Sequence, residues 1–167
     1  MINLSKKSES FISIFILLFC GFFSGFLVHK YFFSLPNNPE AVETVNKQIT
    51  LPDMNWSEQN KTLILALQTS CHFCNESAPF YKRLIEDVKG KNIKLVAVLP
   101  TDIERSRSHL DKLGLTNLDV KQASLNSIQV NGTPTLILID QKGEVINSWV
   151  GKLPPSKEAE VISKLTS

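Results

Sequence analysis

The chain has 167 residues and a formal net charge of +2, room for one ordinary domain plus an appendage but not for two full domains. Its composition, 43% hydrophobic and 20% charged, is that of a globular chain, and three cysteines are too few for a disulfide-built scaffold. Lys6, Lys7 and Lys30 against Glu9 account for the excess charge, so everything after residue 33 is formally neutral, with no basic stripe, and no nucleic-acid partner is expected. A glycine-rich phosphate loop, HExxH and GxSxG are all absent, which removes the motifs behind nucleotide-binding, zincin and hydrolase readings.

Residues 11–28 (FISIFILLFCGFFSGFLV) run for eighteen residues without a charge. A helix of that length covers about 27 Å, close to the hydrocarbon core of a bilayer. Lys6 and Lys7 precede it, and His29, Lys30 and the aromatic Tyr31, Phe32 and Phe33 follow, as at a membrane interface. The run is long for the core of a cleaved signal peptide, and no small-residue cleavage site follows it. Phe19 before Cys20 argues against a lipoprotein signal, and Cys20 reads as one more apolar residue. The expected organisation is a cytoplasmic tail (1–10), a transmembrane anchor (11–28), a linker (29–48) and a folded domain (49–167). Two lysines on a short tail favour an N-terminus inside, which puts the domain on the extracytoplasmic or periplasmic side of the membrane.

Residues 34–48 hold two prolines, paired asparagines and little apolar periodicity, as a spacer does. Residues 63–67 (LILAL) form a continuous apolar run, the pattern of a strand buried on both faces. Tyr81, Leu84, Ile85 and Val88 then share one face of a helix ending near Gly90. Residues 93–99 (IKLVAVL) predict a second buried strand. Thr101 through Glu104 read as a capping box after Pro100, opening a helix that stops near Gly114. Residues 135–139 (TLILI) and 145–150 predict two more strands joined by a turn at 141–144. Pro154-Pro155-Ser156 opens a last helix with Val161, Ile162 and Leu165 on its apolar face. Alternating strands and helices followed by a hairpin imply a parallel pair within a mixed sheet.

Cys71 and Cys74 are the strong chemical signal. Their spacing puts both sulfurs in the first turn of a helix that follows a buried strand, near enough to form a disulfide. Cys71, at the helix start, faces unpaired N–H groups and the positive end of the helix dipole, which favour its nucleophilic thiolate. Cys74, one turn further in, is suited to resolving a mixed disulfide. Zinc sites also use CxxC, but zinc needs four ligands, and no second CxxC or paired His accompanies this one. No metal and no cofactor is expected. Pro79 falls inside the same helix and is expected to kink it. His72 is either an exposed polar residue or a cation or donor beside the Cys71 thiolate. Glu76 reads as a solvated charge, and Phe73 as part of an apolar docking surface. Pro134, in the run VNGTPTL, stands at the entrance of a strand, where proline is tolerated.

Cys71-His72-Phe73-Cys74 with Pro79, the run VNGTPTLILIDQKGEV, and Gly151 after the last strand together resemble a thioredoxin-fold protein over residues 49–167. More narrowly they resemble the membrane-anchored TlpA/ResA-type thiol–disulfide oxidoreductases, which pair an N-terminal anchor with an extracytoplasmic domain. The resemblance implies a three-layer α/β/α fold with a mixed central sheet and a catalytic pair Cys71 and Cys74. It also implies that Thr133–Pro134 is a cis-proline loop lying against the CxxC, so that Thr133, Pro134, His72 and Phe73 meet the substrate. Substrates are then proteins with thiols or disulfides, and the expected direction is reduction, with electrons from a membrane-embedded thiol carrier. Three positions depart from these groups: Ser70 replaces a Trp, Leu65 a buried acid, and Ser77 a frequent Glu. A peroxiredoxin is opposed by Gln68 and Ile64, which stand where that chemistry needs Thr or Ser and Pro. A copper-delivery protein is opposed by the CxxC spacing. A non-enzymatic accessory or chaperone module is the remaining alternative.

Overall fold

The computed structural model describes residues 47–166. The expected tail, the anchor and the linker up to residue 46 lie outside the described residues, among which no helix is long and apolar enough to cross a membrane.

Five strands make one sheet: β1 (Lys61–Ala66), β2 (Ile93–Leu99), β3 (Asp119–Gln122), β4 (Thr135–Asp140) and β5 (Val145–Val150). Their order is β3-β2-β1-β4-β5. β1, β2 and β3 run parallel, while β4 is antiparallel to both β1 and β5. The mixed sheet and four of its strands, three from apolar runs and the fourth from the turn that precedes it, are those that the sequence predicts. β3 is not: only Val120 is buried, and Asp119, Lys121 and Gln122 are polar. A short, charged strand protects a sheet edge from further pairing, and for the same reason it leaves no apolar run to read.

The helices are α1 (His72–Glu76), α2 (Ala78–Val88), α3 (Ile103–Lys112) and α4 (Pro155–Thr166). The crossovers from β1 to β2 and from β2 to β3 advance in the same direction, so their common right hand carries both helical segments over one face. Accordingly Tyr81, Leu84 and Val88 of α2, Leu110 of α3, and Val161 and Leu165 of α4 share one core with Leu63, Leu65 and Leu136. The alternate strand residues Ile64, Ala66, Val96, Val98 and Ile137 form a second core on the other face.

That second face corrects the three-layer α/β/α expectation. Among the described residues its cover is extended chain with Ile49 and Leu51, and two 3-10 turns, Trp56–Glu58 and Leu125–Ile128. Both crossover helices are spent on the opposite side. A smaller correction concerns the capping box. The cap of α3 is Asp102, whose carboxylate accepts the Arg105 N–H at 2.9 Å, while Thr101 only lends its carbonyl to the Ser106 hydroxyl at 3.1 Å. Asp caps as well as Thr and adds negative charge at the positive helix end.

The register fixes where the site lies. Ala66, at the end of β1, pairs with Thr135, at the start of β4, which pairs with Val150 at the end of β5. The segments after β1, before β4 and after β5 therefore emerge at one end of the sheet. At the other end Gln48 bridges Glu144, and the Ile49 N–H bonds to the Gly143 carbonyl at 3.1 Å.

Candidate active site

Cys71 is the N-cap of α1, in extended backbone, and its own N–H bonds to the Gln68 carbonyl at 3.1 Å. Cys71 and Cys74 are joined in a disulfide with their Cα atoms 5.2 Å apart. Cys71 is half-buried, whereas Cys74 is 1% exposed and packed into the helix-side core. The Cys74 N–H lies 3.1 Å from the Cys71 sulfur, a donor aimed at the atom that carries the negative charge when the pair is reduced.

The irregularity expected at Pro79 falls at Ser77, a single residue in right-handed helical backbone that separates α1 from α2. The Ser77 N–H and hydroxyl both return to the Phe73 carbonyl, at 3.1 and 2.8 Å, and close α1. Pro79 then sits in the first turn of α2, where its missing N–H costs no helical bond. α1 is thus only five residues long. The Cys74 N–H is one local source of thiolate stabilisation. Ser77 is buried, so a carboxylate at this position would be taken out of water. Burial also raises the Tyr81 phenol well above its usual value, so Tyr81 stays neutral.

His72 and Phe73 project from the exposed side of α1. Phe73 is 54% exposed, and the two rings lie 5.6 Å apart, tilted by 58°. His72 Nε2 donates to Glu76 Oε1 at 3.1 Å, one helical turn on, and Lys152 Nζ donates to Glu76 Oε2 at 2.9 Å. The hydrogen bond from Lys152 holds the Glu76 carboxyl below the usual carboxylate range, and the charges of Lys152 and His72 add to the effect.

The Thr133–Pro134 peptide is cis, as the resemblance implies. Pro134 is buried and Thr133 half-buried, and the Thr135 hydroxyl bonds back to the Gly132 carbonyl at 2.7 Å. The Gly151 N–H donates to the Pro134 carbonyl at 2.7 Å. Cys71, His72, Phe73, Cys74, Thr133 and Pro134 therefore all belong to segments leaving the same end of the sheet. Among the described residues no group of three or more His, Cys, Asp or Glu could hold a metal ion.

In the sequence alone Glu76 reads as a solvated charge, and nothing marks Lys152. The spacing of His72 and Glu76, one helical turn apart, was a visible signal. Lys152 lies 76 residues further on, and only the fold brings it there.

The family model described as Redoxin matches residues 36–165. No curated protein matches the chain significantly. Among solved structures, a thioredoxin candidate from Neisseria meningitidis is 28% identical, with a TM-score of 0.58 over 72% of this chain and 89% of that one. StoA from Bacillus subtilis is 19% identical, with a TM-score of 0.54 over 66% of this chain and 84% of that one. A candidate thiol:disulfide interchange protein DsbE from Chlorobium tepidum is 19% identical, with a TM-score of 0.60 over 73% of this chain and 96% of that one. The chain belongs to the Redoxin family, and its fold and CxxC pair make it a thioredoxin-like protein thiol–disulfide oxidoreductase.

Proposed function

We propose that this chain is a membrane-anchored, extracytoplasmic oxidoreductase of the TlpA/ResA type that works mainly as a reductant of protein disulfides. The observation that carries the redox step is the Cys71–Cys74 disulfide, with Cys71 half-buried and Cys74 fully buried. In the reduced chain the Cys71 thiolate attacks one sulfur of a substrate disulfide. The substrate S–S bond breaks, its other sulfur leaves as a thiolate, and a mixed disulfide with Cys71 remains. Cys74 loses its proton, attacks the Cys71 sulfur and expels the second substrate thiolate. The Cys71–Cys74 bond closes, and two electrons have passed to the substrate.

Phe73, His72 and the Thr133–Pro134 loop form the surface assigned to the substrate. The Pro134 carbonyl is held inside the fold by Gly151, so Thr133 is the residue of this loop whose backbone is assigned to pairing with a substrate strand. Residues 11–28 support the membrane anchor, and Lys6 and Lys7 support an N-terminus inside. An oxidising compartment supplies no electrons, so the reductant role needs a membrane-embedded thiol carrier. The resemblance to TlpA/ResA-type proteins supports that direction. The Cys74 N–H aimed at the Cys71 sulfur works against it, since a stabilised thiolate favours the reduced form.

The test is insulin reduction at the expense of dithiothreitol. The wild-type chain accelerates it and Cys71→Ser does not; equal activity of the two removes the redox reading. An alkaline-phosphatase fusion at the C-terminus is active if the domain is extracytoplasmic, and inactive if the topology is reversed.

A further inference from the structure

The active-site end of the sheet carries a connection that the thiol chemistry does not itself require. Glu76 is the last residue of α1, and Lys152 lies in the segment between β5 and α4. Their side chains meet at 2.9 Å. The neighbour of Lys152, Gly151, is the residue whose N–H holds the Pro134 carbonyl at 2.7 Å. Gly151 adopts φ +84, a left-handed turn at the end of β5. A continuous path thus runs from the CxxC helix through Glu76, Lys152 and Gly151 to the cis-proline loop. The other Glu76 oxygen takes the His72 ring at 3.1 Å, so the same carboxylate also fixes a side chain next to Cys71.

We propose that Glu76 and Lys152 are positioning residues for the reaction with protein substrates: their ion pair holds the CxxC helix in register with the cis-proline loop. This inference rests on the oxidoreductase reading above. A protein disulfide must be met by Cys71 and by the loop together, while a small dithiol needs only the Cys71–Cys74 bond. The clip therefore matters to the first reaction and not to the second. The Glu76 carboxyl is ionised at neutral pH as any solvated Glu is, and Lys152 lowers its pKa further. Both side chains are partly exposed, so the effect is modest and salt-sensitive.

The experiment compares two reactions of the full-length chain in detergent: kcat/KM for insulin reduction, and the rate at which dithiothreitol reduces the Cys71–Cys74 bond. Glu76→Gln and Lys152→Met are each expected to lower the insulin value about threefold while leaving the dithiothreitol rate unchanged. The swapped double variant, Glu76→Lys with Lys152→Glu, is expected to restore at least half of the loss. Raised salt is expected to lower the wild-type insulin value toward that of the single variants. Single variants equal to wild type overturn the inference, as does a dithiothreitol rate that falls by the same factor, or a swap that restores nothing. If wild type and Cys71→Ser reduce insulin equally, the oxidoreductase reading itself has failed and the inference falls with it; a wild type that outperforms Cys71→Ser beside unaffected clip variants sinks the inference alone.

Discussion

Gly151 donates its backbone N–H to the carbonyl of Pro134 across 2.7 Å, tying the end of β5 to the cis-proline loop. A turn at φ +84 makes this contact, and no heavy atom lies within 4 Å of where a Cβ would stand. Gly151→Ala therefore costs backbone strain alone, about 1–2 kcal/mol. Gly143, at φ +83, differs because an added Cβ would lie 2.8 Å from the Trp56 ring. Gly143→Ala adds a steric clash to the strain and is expected to be the more destabilising of the two. Urea midpoints of both variants check the order, and equal midpoints contradict it.

The exposure of Cys71 and the burial of Cys74 predict an asymmetry in trapping. Cys74→Ala retains the attacking sulfur without its resolving partner, so mixed disulfides with other proteins should accumulate on non-reducing gels. Cys71→Ala should give none. The reverse pattern would exchange the two roles.

Helix α2 carries a stability prediction. Leu84 is fully buried, while Ile85 packs at the rim of the same core. Leu84→Ala should cost about 2–5 kcal/mol and Ile85→Ala less, since the rim site loses less burial and leaves a smaller cavity. Urea unfolding of both variants measures the difference.

These elements also mark how far the sequence could be read. Strands β1, β2 and β4 are legible because each is a run of mostly apolar residues largely buried on both faces, β5 because a turn at 141–144 sets it off from β4, and α2 because its apolar residues repeat at helical spacing. β3 was hidden because it places one apolar side chain, Val120, among polar ones. The CxxC announced itself by spacing, and the cis-proline loop only by resemblance. The capping residue of α3 moved by one place because Thr101 and Asp102 are both good caps and sequence does not rank them in context. Lys152 was invisible as a partner of Glu76, since the two meet only once the sheet has set β1 and β5 at a common end.

Acid stability should depend on Glu160. Its carboxylate accepts from Lys157 Nζ at 2.7 Å and from the Trp149 ring N–H at 3.1 Å. These two bonds, Lys157 first, lower its pKa. A folded pKa below the unfolded one, which is about 4.3 for Glu, gives stability that is complete above that value and lost as pH falls through the lower folded one. Glu160→Gln should therefore be less stable than wild type at pH near 6, and the gap should narrow as pH falls below the unfolded value of about 4.3. Urea midpoints followed by the fluorescence of Trp56 and Trp149 measure it; a gap that widens in acid contradicts the assignment.

A CxxC couple that reduces protein disulfides must have a low reduction potential. The full-length chain is equilibrated in glutathione buffers of graded ratio, and the oxidised fraction of the Cys71–Cys74 pair is read by alkylation and mass spectrometry. The account predicts a midpoint toward the thioredoxin end of the range, about −270 mV, rather than the strong-oxidant end, about −120 mV. A midpoint near the oxidant end contradicts it.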